Sequence, residues 1–274
     1  VSEVFTPSIA GVPSRLERSR RAWLERLPWG ELGALDLEPW ARRAAARAFA
    51  EGALREHETA RAFAALATAL LEAQAPLDLV SRVTDFVADE LLHTELHARL
   101  AEGLGGAEPL AFEARDTLVS ERDPALRAVA LALRVSVIGE TFSQPVLAAT
   151  LAASASPLVR AVLRRVVVDE GPHARVGALV LEALSPRLGE GALALLATHA
   201  HDELERHASY FTDHVDDEHA LDPALARRLG FLPRADYLAC ARASLERHVL
   251  PALARLGLPL EPRQLGRLLA SLPG

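Results

Sequence analysis

Two five-residue segments constrain this chain more than anything else in it: Asp89-Glu90-Leu91-Leu92-His93 and Asp169-Glu170-Gly171-Pro172-His173. Both read Asp-Glu-x-x-His, and both fall in stretches whose apolar residues recur at helical spacing. On a helix, residues three apart project from one face, so each Glu and its His can address the same point. Glu90 and His93 share their face with Val83 and Phe86; Glu170 and His173 share theirs with Leu163, Val166, Val167 and Val180. Charged groups on an apolar face are costly unless they are paired or metal-bound. A chain that does this twice needs two helices turned toward a common interior.

Helical patterning continues on both sides. It predicts a long helix from about Glu38 to Ala73 with Pro39 in its first turn, and a second from Asp78, as cap, to about Glu102. Gly103, Gly105 and Gly106 end the second. A third starts at Asp123-Pro124 and ends near Ser154; after a short loop to Pro157, a fourth ends near Ser185-Pro186. A loose arm over 1–13 and a short Arg-rich helix over Ser14–Leu27 precede them. Helices over about Glu190–Val215 and Arg234–Leu256, and a short tail helix over Pro262–Leu272, follow. No strand-like alternation is visible.

Loop lengths suggest how these helices are arranged. The first and second are joined by a few residues, as are the third and fourth, so each pair should pack antiparallel. Residues 105–123 link the pairs. At roughly 3.3 Å per residue such a link spans about 60 Å, more than the roughly 40 Å of a 27-residue helix. The expectation is an all-α fold: a ferritin-like four-helix bundle with one long crossover, plus additional N- and C-terminal helices. We read residues 1–274 as one domain, with the bundle at about 41–186, an N-terminal arm and helix over 1–40, and a C-terminal extension over 187–274.

Two more carboxylates follow from periodicity. In the first helix, Phe49, Ala53, Glu56, Ala60, Phe63, Ala67 and Leu70 form one apolar stripe broken only by Glu56. Glu58 shares its face with Glu51, Arg55 and Arg61 and reads as solvated. The alanines of the stripe would leave room for a ligand. In the third helix, Glu140 lies on the face of Leu133, Val137 and Leu147. Four carboxylates neutralise two ferrous ions, with neutral imidazoles completing the shell, and this donor set suits iron or manganese. Asp89 is placed to hold His173, and Asp169 to hold His93, by the ring nitrogen that does not face the metal.

The layout of Glu56, Asp89-Glu90-x-x-His93, Glu140 and Asp169-Glu170-x-x-His173 resembles the bacterial non-haem di-iron carboxylate oxygenases and oxidases of the ferritin-like superfamily. The resemblance implies metal ligands Glu56, Glu90, His93, Glu140, Glu170 and His173, with Asp89 and Asp169 behind the histidines. It implies two iron ions, or a manganese–iron pair, dioxygen and a small-molecule substrate, and an external electron donor. The implied activity is hydroxylation or N-oxygenation of a small metabolite. An aldehyde-deformylating or fatty-acyl-modifying enzyme, or a ferroxidase or iron-storage protein, is the alternative. Ser143 stands where the rubrerythrin group has a further Glu, and the stretch after the fourth helix is long for a ferritin.

Other residues have open roles. His97 follows His93 by four and is either near the metal or at the bundle rim. Ser136 and Gln144, a turn either side of Glu140, could orient oxygen or substrate. His199, Asp202, Glu203 and His207 read as a solvated face, and Cys240 as a small buried side chain. Pro145 and Pro172 should each bend or bulge its helix.

Composition limits the rest. Half the residues are hydrophobic and only 5% aromatic, with alanine abundant, which suits closely packed helices. The net charge is −7, and the 30 basic residues, all Arg, are interspersed with acids. No nucleic-acid partner is therefore expected. The single cysteine excludes a disulfide framework and a four-cysteine metal module. No apolar run is long enough to span a membrane and no leader pattern is seen, so a cytoplasmic protein without a membrane partner is expected. A homodimer is compatible with all of this.

Overall fold

The structure is a computed structural model that describes residues 3–5, 7, 15–112, 119–212 and 221–258. Among the described residues it is all-α apart from one short strand pair. Helix α1 covers Arg15–Leu24, α2 Pro39–Glu72 and α3 Leu77–Gly103. A third rod joins α4 (Pro124–Ala132), a π-helical segment (Leu133–Glu140) and α5 (Thr141–Ala153). Then come α6 (Pro157–Leu184), α7 (Ala192–Thr212), α8 (Pro223–Leu229), α9 (Arg234–Ser244), a second π segment (Leu245–Val249) and α10 (Leu250–Arg255).

Helix α2 packs along α3 and against α4, and α6 packs on α3, α4, the first π segment and α5. The interior is filled in two parts. One lies around Phe63, Leu70, Val83, Leu133 and Val180, the other around Phe49, Leu96, Leu100, Leu158 and Val162. At about 25 cal/mol per Å2 of apolar surface removed from water, these clusters dominate the stabilisation. No helix among the described residues is long and apolar enough to cross a membrane.

Several local expectations are corrected. The N-terminal arm contains a strand, β1 (Glu3–Phe5), which pairs antiparallel with β2 (Leu110–Phe112) in the link between α3 and α4. Three residues are too few to produce a visible alternation. Asp78 does not cap α3; Pro76 occupies that position, and Asp78 sits in the first turn, where its charge favours the helix dipole. Asp123 does cap α4, accepting from the amides of Ala125 (2.7 Å) and Leu126 (3.2 Å). Helix α8 was not anticipated: it is seven residues long, capped by Asp222 and closed by the left-handed Gly230. The expected tail helix over 262–272 lies outside the described residues.

The two internal prolines behave differently. Upstream of Pro145 the rod widens into the π segment that ends on Glu140. Pro145 has no amide to give the carbonyl of Thr141. The hydroxyl of Ser244 on α9 reaches that carbonyl at 3.4 Å and the neighbouring carbonyl of Phe142 at 2.8 Å. Cys240, half-buried rather than buried, lies one turn before Ser244 with its sulfur 3.6 Å from the carbonyl of Pro145. Pro172, against expectation, causes no bulge: α6 stays α-helical through it. The carbonyl it deprives belongs to Val168, which is on the exposed face where water can serve instead.

Candidate metal centre

Glu90 and His93 come from α3, Glu170 and His173 from α6, Glu56 from α2 and Glu140 from the end of the π segment. Glu90, His93, Glu140, Glu170 and His173 are buried and Glu56 is half-buried. Their donor atoms fall into two groups, each with all atoms within 4.8 Å of one another. The first is Glu56, Glu90, His93 and Glu170; the second is Glu90, Glu140, Glu170 and His173. Glu90 and Glu170 belong to both.

Both imidazoles are oriented alike. His93 turns Nδ1 toward Glu90 (3.3 Å) and Glu170 (3.3 Å), and Nε2 toward Asp169 (3.1 Å). His173 turns Nδ1 toward Glu90 (2.8 Å) and Glu170 (3.2 Å), and Nε2 toward Asp89 (3.7 Å). The aspartates are themselves held by cations. Arg20 on α1 donates to Asp89 (2.6 Å), and Arg165 donates to Asp169 (2.7 Å) while lying 3.6 Å from Asp89. Sequence reading missed both arginines: Arg165 stands one helical turn before Asp169 on α6, a spacing that was there to be read, whereas Arg20 reaches Asp89 from another helix. Phe63 and Phe86 pack on the ring of His173, with centroids 5.3 and 4.2 Å away.

The donor set fits a metal. Glu90 Oε1, Glu170 Oε2 and His173 Nδ1 are buried without a hydrogen-bond partner, although Nδ1 lies only 2.8 Å from Glu90 Oε1. That closeness without hydrogen-bond alignment is what lone pairs aimed at a common point produce. Orphaned buried groups of this kind cost about 1–3 kcal/mol each unless something satisfies them.

The electrostatics agree. Burial, then the charge of Glu170, pushes the Glu90 carboxyl up to about 7. Burial, then Glu170 and Glu90, holds Glu140 well above the ordinary carboxylate range. Burial opposes protonation of the histidines, but the carboxylates outweigh it. Asp89, Glu170 and Glu90 raise His173 to about 11, and Asp169, Glu170, Glu56 and Glu90 hold His93 well above its usual value. Protons on both histidines, Glu140 and Glu90 would neutralise the cluster, a charge of four that two divalent cations would also supply.

One side of the cluster opens on a cavity of about 340 Å3, lined by Glu56, Glu140 and Glu170 among others. His97 lines it too and is buried rather than at a rim; its Nδ1 donates to the carbonyl of His93 (3.1 Å). Gly52 makes room for that ring, since a Cβ there would come 2.9 Å from Cδ2. Burial, the largest influence, lowers the His97 pKa. Ser143 donates to Glu140 Oε2 (3.2 Å) at the cavity wall.

Other expectations fail here. Ala53, Ala60 and Ala67 do not line the cavity; on α2 it is bounded by Ala48, Gly52, Thr59 and Ala62. Glu58 lines it rather than facing only solvent. Gln144 lies instead by Gly171, whose Cβ would meet its Nε2 at 3.5 Å. Ser136 is fully buried against α6. Glu203, read as solvated, is 1% exposed and ion-paired to Arg134 (2.8 Å), Arg206 and His207 (3.3 Å). Leu193 and Leu195 of the same helix are exposed instead. An ion-paired acid looks the same in sequence whether its partners lie in water or in a wall. No family model matches the chain, and no curated protein matches it.

Proposed function

We propose that the protein is a non-haem di-iron oxygenase of ferritin-like type that hydroxylates or N-oxygenates a small molecule. The observation that carries the reading is the sharing of Glu90 and Glu170 by the two candidate groups. Shared carboxylates suit a pair of ions side by side. Glu56 and His93 would complete one site, Glu140 and His173 the other. Iron held there would supply the one-electron chemistry that dioxygen needs and amino-acid side chains lack.

The chain's own residues do the rest. Asp169 holds His93 by Nε2, and Asp89 lies 3.7 Å from Nε2 of His173, so both rings leave Nδ1 to the centre. Arg20 pairs with Asp89 and Arg165 with Asp169, and none of the four lines the cavity. Ser143 holds one oxygen of Glu140 where the cavity meets the centre. Residues from the C-terminal part of the chain, including Glu203, Arg206, Phe231 and Tyr237, wall the cavity. That wall supports an enzyme with a substrate over a storage protein, which needs no enclosed organic pocket.

Metal analysis after anaerobic loading with ferrous iron should give about two ions per chain, and Glu90→Ala and Glu170→Ala should each lose them. Oxygen uptake should then be stoichiometric with iron and followed by return to the loaded state when a reductant is supplied. Fewer than one ion per chain, or unchanged binding in both variants, would sink the reading. Growth of a large ferric core would favour storage.

A further inference from the structure

Four neutral polar side chains of the cavity lining, Thr59, His97, Ser143 and Thr150, share one property: their donor hydrogens are already spent. The hydroxyl of Thr59 donates to the carbonyl of Arg55 (3.1 Å), that of Thr150 to the carbonyl of Val146 (2.8 Å) and that of Ser143 to Glu140 Oε2 (3.2 Å). A hydroxyl has one hydrogen, so each of these three presents only lone pairs to a ligand. Phe49, Leu147, Leu163 and Phe231 give the same cavity an apolar wall, in which the rings of Phe49 and Phe231 stand 4.8 Å apart.

His97 is the most buried of the four, at 8% exposure. Its Nδ1 faces the carbonyl of His93 (3.1 Å) and, at 3.7 Å, Glu56 Oε1. A carbonyl can only accept, so in the neutral ring Nδ1 carries the proton and Nε2 the lone pair. Among the described residues Nε2 has no hydrogen-bond partner, and unlike the orphaned atoms of the metal centre it is not sealed from solvent. The Cδ2–Nε2 edge of the ring lies over Gly52, where a Cβ would come 2.9 Å from Cδ2 and 3.5 Å from Nε2. Gly52 and His97 both line the cavity, so the lone pair opens on it.

We propose that the cavity selects a small molecule with an apolar body and an N–H or O–H group, and that this group donates to Nε2 of His97. A ligand entering the cavity displaces water from Nε2, and one without a donor leaves a buried lone pair unpaired. A site of that kind discriminates against the analogue that lacks the donor. The volume of about 340 Å3 suits a molecule of this size. Because Nδ1 of the same ring lies 3.7 Å from Glu56, the donor end of the molecule is held beside the metal centre. That placement deepens the proposed function and rests on it; the preference for a donor comes from the lining alone.

Calorimetry on the metal-free and the anaerobic, iron-loaded protein tests it with two pairs of equal size: indole against benzofuran, and 1-octanol against heptyl methyl ether. The expected result is that the donor of each pair binds about tenfold more tightly, the scale of one buried hydrogen bond. His97→Leu should abolish both preferences, and His97→Gln, whose Oε1 can accept, should keep them. A preference below about twofold in either pair, the low end for one hydrogen bond, or binding of none of the four overturns the inference. So does a preference that survives in His97→Leu, because the donor is then on another group, or one lost equally in both variants, because shape then decides it. Nitrogen NMR of the unaltered, metal-free protein needs no variant to fold. Nε2 of His97 should resonate as an unprotonated ring nitrogen and shift with indole but not with benzofuran; a protonated Nε2 overturns the inference. If the protein takes up no metal yet keeps the preference that depends on His97, the oxygenase reading fails and this assignment stands.

Discussion

Ser136 is inserted into the backbone of α6 at His173. Its hydroxyl donates to the carbonyl of His173 (2.6 Å) and accepts from the amide of Gly177 (2.8 Å), two groups that an α-helix joins directly. Gly177 permits the approach: a Cβ there would stand 2.8 Å from Ser136 Oγ and 2.6 Å from Val137 Cγ2. The π segment that carries Glu140 is thereby locked to the turn of α6 that carries His173.

Ser136→Ala should cost about 1–2 kcal/mol of stability, because it removes a buried hydrogen-bonding group between two others. Gly177→Ala should cost about 1–3 kcal/mol through overpacking. Both should also weaken metal binding. Urea unfolding of the metal-free protein and a metal titration read the two effects separately; normal affinity in both variants would show that the lock does not position the centre.

Metal uptake should release protons and strengthen as pH rises. Glu140 well above the carboxylate range, His173 at about 11 and His93 well above its usual value hold protons in the metal-free protein at neutral pH, and Glu90, at about 7, holds one in about half the molecules there and in more at lower pH. Ligation requires all four to leave. Below pH 7 about four protons per chain should appear on loading with two ions, as read by calorimetry in buffers of different ionisation enthalpy. Uptake without proton release contradicts the proposed ligand set.

Asp169→Asn and Asp89→Asn should each lower metal affinity about 10–100-fold while leaving the fold intact. The effect of Asp169→Asn should be the larger, since Asp169 lies 3.1 Å from His93 and Asp89 3.7 Å from His173. Equal affinity of both variants and the parent, measured by competition with a chelator, would remove the aspartates from the centre.

Glu203→Gln should destabilise the protein by about 2–3 kcal/mol, less than for a wholly buried pair because Arg206 is partly exposed. Burial opposes its ionisation, but His207 and Arg206 hold its pKa far below the ordinary carboxylate value. Its contribution is therefore complete above the unfolded value near 4.5 and is lost as pH falls below that. The parent should lose stability faster than Glu203→Gln between about pH 4.5 and 3 in chemical denaturation. Parallel curves would place the residue in solvent.

The helices, their order and most of their ends were legible in the sequence, since a 3.6-residue period and end signals such as Asp123-Pro124 are local. The six residues of the cluster stood out for the same reason: a lone carboxylate on an apolar face is a contradiction visible within one helix. What only the tertiary structure decided is everything that depends on a neighbour from elsewhere in the chain. Glu90 and Glu170, ordinary members of two identical motifs, emerge as the shared pair only when α3 and α6 face each other. Arg20 reaches Asp89, and Ser244 reaches the carbonyls beside Pro145, across distances no spacing rule covers. Ser136 was assigned to the cavity by α-helical periodicity. The π segment adds residues to the turn and so changes which of them face the cavity, and Ser136 faces α6 instead. The Asp-Glu-x-x-His pair thus identified a buried polar interior; the packing of α1, α6, α7 and α9 around it decided which side is sealed by aspartate and arginine and which side opens to a cavity.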